Sequence, residues 1–145
     1  MKLLDANVLL YAVNESAPRH REARDWLDGA LNARESVAFS WVVLLAFVRL
    51  STRIGLFPSP LPVPDALAQV RDWLDAPAAT LLAPGPRHLD LLVDLLAESG
   101  TGGNLTTDAH LAALALEHRC VVVTYDRDFS RFADVRSIAP ADDTT

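Results

Sequence analysis

Little in this chain could staple or anchor a protein. Cys120 is the only cysteine among 145 residues, which excludes an internal disulfide framework. Its neighbours Val121, Val122 and Val123 point to burial as a small hydrophobe. A reducing cytoplasm is the setting this favours. Charges or turn residues interrupt every apolar stretch, so no run approaches the ~18 residues that a membrane-spanning helix needs. The opening Met1-Lys2-Leu3-Leu4-Asp5 places an acid where an export signal would continue its apolar segment, and we expect neither export nor membrane attachment. Lys2 is the only lysine, and arginine supplies the rest of 13 bases against 19 acids. A net charge of −6 argues against gripping nucleic acid by overall positive potential. Any such function must rest on a local site.

Several catalytic signatures are missing too. There is no G-x-S-x-G elbow, no Walker glycine loop and no G-x-G-x-x-G. The histidines, His20, His88, His110 and His118, lack metal-ligand spacing and are expected at surface or helix-end positions.

What is present describes an ordered fold, with half the residues hydrophobic and 22% charged. The length suits one domain, residues 1–138, and the polar end 139–145 reads as a disordered tail. Lys2-Leu3-Leu4 predicts a buried strand and Ala6–Val13 a short helix. Ala23, Trp26, Leu27, Ala30 and Leu31 recur at helical spacing within about 19–33. Val37-Ala38-Phe39 reads as a second strand, with Ser40 as cap of a helix from Trp41 to about Thr52. That helix is apolar nearly all round and predicts deep packing. The prolines of 57–64 make a stiff connector, and a helix opens at Pro64-Asp65 and runs to about Asp75. Thr80–Ala83 predicts a strand, Arg87–Glu98 a helix, and Gly100–Asn104 a loop that should move. A helix from Thr106 or Thr107 to about His118, the strong strand Cys120–Thr124 and a last short strand at 135–138 complete the pattern. Short apolar strands alternating with helices imply α/β class, a three-layer α/β/α fold around a central parallel sheet.

In such folds ligands sit beyond the carboxyl ends of the strands. Asp5 ends the first strand, Asp108 lies in the first turn of a helix, and Asp126 follows the strongest strand by two residues. Singly, each has an ordinary use: Asp5 as a helix cap, Asp108 against a helix dipole, Asp126 in a turn. Together they suggest a cation site. Two carboxylates ~4 Å apart repel by roughly 4 kcal/mol at an effective dielectric near 20, and a hard divalent ion with oxygen ligands removes that cost.

Three stretches carry a resemblance. Leu3-Leu4-Asp5-Ala6-Asn7-Val8-Leu9-Leu10, Leu105-Thr106-Thr107-Asp108-Ala109-His110-Leu111 and Val122-Val123-Thr124-Tyr125-Asp126-Arg127-Asp128-Phe129 resemble the acidic motifs of PIN domains, in particular VapC toxins, in order and spacing over nearly the whole chain. The remaining family motif places a glutamate on the helix after the second strand. Here the matching position is Ala46, one turn before Arg49, which lacks the acidic partner a glutamate would supply. Alanine is also simply a good helix former in a crowded place.

The resemblance implies a metal-dependent endoribonuclease toxin that cuts RNA with Mg²⁺ or Mn²⁺. Asp5, Asp108 and Asp126 would be its metal ligands, and position 46 the place of its absent acid. Asn7 and Thr124 would orient the acids, Arg49 would contact phosphate, and Asp128 would be an auxiliary acid or a substitute for Asp126. It further implies a VapB-like antitoxin and a homodimer. The alternative is a catalytically inactive toxin-like module that still binds antitoxin. A phosphoryl-accepting reading of Asp5 ranks lower, because a lysine late in the chain is missing.

Overall fold

The computed structural model describes residues 1–100 and 102–144, and of Asn104 the backbone alone. Five strands form the sheet: β1 (Lys2–Leu4), β2 (Val37–Phe39), β3 (Ala79–Leu81), β4 (Val121–Val123) and β5 (Ser137–Ile138). All pair in parallel, in the order β3-β2-β1-β4-β5. The helices are α1 (Ala6–Val13), α2 (His20–Leu31), α3 (Trp41–Thr52), α4 (Val63–Asp75), α5 (His88–Ser99) and α6 (Thr106–His118). Successive strand residues point to opposite faces, and Leu3, Leu4, Val37, Ala38, Phe39, Val122 and Val123 are all buried. Both faces of the sheet are therefore covered, which gives the expected three-layer architecture. Among the described residues no helix is long and apolar enough to cross a membrane.

The core is built where helix and strand signals agree. Phe39 of β2, Phe47 of α3 and Trp73 of α4 pack ring against ring, with Trp73 6.3 Å from Phe39 and 4.8 Å from Phe47 between centroids. Each fully buried side chain of this size contributes roughly 1.5–3 kcal/mol. Helix α5 ends at Gly100, whose φ of 72° lets its N–H turn back to the Leu96 carbonyl at 3.2 Å. Helix α6 ends at Arg119, also left-handed (φ 58°), and the reversal feeds directly into β4. Because α6 runs back across the sheet before β4, its first turn lies at the carboxyl end of the strands.

The structure departs from the sequence reading in several places. Helix α3 is not packed all round: Trp41 is 53% and Leu45 61% exposed, while Val43, Leu44 and Phe47 are buried. One stripe meets the core and the opposite one meets solvent. Ser40 precedes α3, but its hydroxyl makes no cap hydrogen bond and has no hydrogen-bond partner; only its carbonyl serves, accepting from the Leu44 N–H at 3.0 Å. The C-terminal tail, expected to be disordered, packs on α2. Pro140 is buried in a 3-10 turn at Pro140–Asp142, and Asp143 accepts from the Trp26 indole N–H at 2.8 Å and pairs with Lys2 at 2.9 Å. Residue 145 lies outside the described residues. Of the loop expected at 100–104, so does residue 101, and Gly103–Leu105 forms a 3-10 turn.

Candidate metal centre

The sheet order places β1 between β2 and β4, so the chain leaves β1 toward one side and returns on the other. That switch point opens a crevice at the carboxyl ends of β1 and β4. The register there pairs Leu4 with Val123, so the next residues, Asp5 and Thr124, emerge side by side. Their contact follows from register alone: the Thr124 hydroxyl donates to Asp5 Oδ2 at 2.7 Å. Asp5 also caps α1, accepting from the Ala6 N–H through Oδ1 at 2.7 Å. The structural and the site role thus coincide in one side chain.

Asn7 and Thr124, proposed from sequence to orient the acids, are tied into this corner. Asn7 Nδ2 donates to Thr124 Oγ1 at 3.1 Å and Asp5 Oδ2 at 3.3 Å, and Asn7 Oδ1 accepts from the Tyr125 N–H at 3.1 Å. The buried Thr124 hydroxyl accepts in turn from the Asp126 N–H at 2.9 Å. Three consecutive residues after β4 are thereby locked to the end of β1.

Asp126 caps a 3-10 turn at Arg127–Arg131, its Oδ1 accepting from the Asp128 N–H at 2.8 Å. That turn brings Asp128 beside Asp126. One carboxylate oxygen each from Asp108, Asp126 and Asp128 lie within 4.8 Å of one another. Asp128, named from the sequence as an auxiliary acid or a substitute for Asp126, thus lies in one acidic group with Asp108 and Asp126. The i, i+2 spacing was its only trace in the sequence. Asp5 stands outside that triple but within its field. Burial raises its carboxyl above the usual range, the bonds from Thr124 and Ala6 oppose this, and the charge of Asp126 adds to the rise. Asp108, half-buried, is pushed up to about 6 by burial first and then by Asp5, Asp126 and Asp128. The four acids feel one another as a single cluster.

Ala46 lies in the second turn of α3. With Val42, Leu45, Arg49 and Thr107 it lines a cavity of about 370 Å³. Thr107, which shares this hollow with α3, immediately precedes Asp108 in the first turn of α6. Arg49 is exposed and has no ion-pair partner among the described residues.

Two clusters went unseen in the sequence. His88 Nε2 and His110 Nδ1 are 2.9 Å apart between α5 and α6, and Glu117 accepts from the Gly85 and Arg87 N–H groups beside them. Tyr125 packs on Tyr11 with ring centroids 5.3 Å apart and donates its hydroxyl to Glu22 at 2.8 Å, under the Arg19 guanidinium. Both join residues far apart in sequence, and no local pattern announces them.

A half-buried to exposed carboxylate cluster at the switch point of a five-stranded parallel sheet fits a PIN domain. The PIN domain family model matches residues 2–135, and the chain belongs to that family. Within it, the chain is 58% identical to ribonuclease VapC37 of Mycobacterium tuberculosis over 94% of both chains. It is 41% identical to ribonuclease VapC33 of the same organism over 97% of this chain and 98% of that one. The fold is shared with VapBC2 from Rickettsia felis, solved bound to a promoter DNA fragment, at a TM-score of 0.70 and 15% identity over 95% of this chain and 97% of that one. It is shared equally with VapC20 of Mycobacterium tuberculosis, a toxin that cleaves the sarcin-ricin loop, at 0.68 and 18% over 94% and 99%.

Proposed function

We propose that this chain is a metal-dependent endoribonuclease of the VapC type, restrained by a VapB-like antitoxin. The observation that carries the reading is the convergence of Asp108, Asp126 and Asp128, with Asp5 in their field. The relatives named as ribonucleases support it across nearly the whole chain.

The donor set suits a hard divalent cation. It offers carboxylate oxygens, no thiolate and no imidazole, and burial together with mutual repulsion, which raise the Asp108 carboxyl, are the cost that a cation would remove. Asp108, Asp126 and Asp128 would hold Mg²⁺ or Mn²⁺, with Asp5 in direct or water-mediated reach. Bound there, the ion supplies a water of lowered pKa and charge stabilisation for phosphodiester cleavage. The protein's own part is orientation. Thr124 and Asn7 fix the Asp5 carboxylate, and the Asp126–Asp128 turn keeps two acids on one side. Arg49, one turn after Ala46 and lining the same hollow, would contact a substrate phosphate.

With alanine at position 46 the site works with one carboxylate fewer than the family motif supplies, and we expect weaker metal binding and slower cleavage. Solved relatives described as VapBC complexes support an antitoxin partner, for which the net negative charge is favourable if the inserted segment is basic. We place the protein in the cytoplasm and as a homodimer. The test is Ala46→Glu with an RNA cleavage assay, with and without Mn²⁺: cleavage should rise at least tenfold. No gain would remove position 46 from the metal site. Tight antitoxin binding without cleavage in either form would favour an inactive binding module instead.

A further inference from the structure

Besides the cavity lined by Ala46, Arg49 and Thr107, a cleft of about 550 Å³ opens between the carboxyl ends of β4 and β5 and the C-terminal tail, lined by Arg19, Thr124, Asp126, Arg127 and Asp142 among others. Asp126 belongs both to the cation site and to this second cleft, so the two are continuous.

The cleft's cations are set out in advance. Arg19 sits 4.7 Å above the Tyr125 ring centroid, and Tyr125 is held from behind by Tyr11 and through its hydroxyl by Glu22. Glu22 lies 3.7 Å from Arg19 on an exposed side, where screening leaves such a pair weak. A guanidinium positioned over an aromatic ring loses little freedom when it binds an anion. Arg127, exposed next to Asp126, has no ion-pair partner among the described residues. Of the two acids lining the cleft, Asp126 is committed to the cation and Asp142 is exposed in the tail. In a chain of net charge −6, two available arginines beside a cation site mark a place for a bound anion.

We propose that this cleft seats the nucleotide adjacent to the scissile bond in single-stranded RNA. Arg19 and Arg127 take the neighbouring phosphate, and the face of Arg19 turned away from Tyr125 meets the base. Arg49, in the hollow beside Ala46 and Thr107, takes another stretch of the strand. Arg19 and Arg127 are thus positioning residues that set substrate affinity rather than the chemical step. This inference rests on the ribonuclease reading above.

The experiment uses a labelled single-stranded oligoribonucleotide and the full chain. Cleavage is measured with Mn²⁺, and binding by fluorescence anisotropy with Ca²⁺ in its place. Arg19→Ala and Arg127→Ala should each raise KM about tenfold with kcat changed less than threefold. Removing both should also lower the salt slope of binding by about 0.7, the value for one phosphate contact to a single strand. Arg19→Lys should keep the slope, and Arg71→Ala, on the exposed side of α4, should change nothing. Wild-type cleavage with unchanged KM and affinity in both alanine variants overturns the cleft and leaves the ribonuclease reading standing. RNA binding weakened by Arg19→Ala and Arg127→Ala without cleavage by the wild type upholds the cleft and overturns the ribonuclease reading. Neither binding nor cleavage by the wild type overturns both. The exposed Arg127 side chain makes its variant the control against misfolding.

Discussion

Replacing Asp108 by Asn should stabilise the metal-free protein while weakening its response to metal. The folded chain holds the Asp108 carboxyl near 6 against 3.8 for a free one, so it binds this proton more tightly than the unfolded chain does. Stability from this group is therefore greatest below about pH 4 and declines as pH rises toward 6, above which the whole cost is present. A shift of about two units corresponds to roughly 3 kcal/mol; the side chain is half-buried, and solvent screening reduces this to about 1.5 kcal/mol. Asparagine cannot ionise and escapes the cost. In a chain of this length, a gain of that size raises Tm by roughly 3–6 °C. Thermal melts followed by circular dichroism at pH 7.5 in chelator should show that rise, and at pH 3.5 wild type and variant should coincide. Added Mn²⁺ should raise the wild-type Tm clearly and that of Asp108→Asn much less. A variant that melts at or below wild type at pH 7.5, or gains as much at pH 3.5, would refute the reasoning, because the cost would then not be electrostatic.

Two further outcomes follow from packing around the site and the tail. Thr124→Val preserves shape but strands the Asp126 N–H, leaves the Asn7 amide with Asp5 alone as acceptor and removes a donor from Asp5. It should cost about 1–3 kcal/mol in urea denaturation. Because that bond holds the Asp5 carboxyl down, the acid limb of the cleavage profile should also move to higher pH, and an unmoved limb would separate Asp5 from catalysis. Ending the chain at Ile138 removes buried Pro140 and leaves the Trp26 indole without Asp143. A fall in stability of about 1–3 kcal/mol is expected, and an unchanged melt would mean the tail contributes nothing to the fold.

Local chemistry was legible where one stretch of chain carries the whole signal. Ala6–Val13 was read to the residue and Trp41–Thr52 to within its approximate end, because an apolar strand that stops at Asp5 or Ser40 is a pattern contained in a few neighbours, although only Asp5 caps through its side chain. The ends of β3 and β4 drifted by a residue or so, since in a strand buried on both faces nothing local marks where pairing stops. The exposed stripe of α3 was misjudged for a related reason. Leu45 and Leu44 look alike as letters, and only the position of the neighbouring elements decides which one is covered.

For the candidate site, the sequence by itself determined the family and which acids to look for: Asp5, Asp108 and Asp126, in an order that resembles that of a PIN domain. It could do so because Asp5 and Asp126 sit at strand ends and Asp108 at a helix start, positions readable from periodicity. Tertiary structure decided which oxygens meet. The Leu4–Val123 register sets Asp5 against Thr124, the turn capped by Asp126 brings Asp128 into the tight group, and the return of the tail over α2 closes one side of the cleft that holds Arg19. Distances of this kind depend on how separate segments pack, and packing joins residues more than a hundred positions apart that no spacing rule connects.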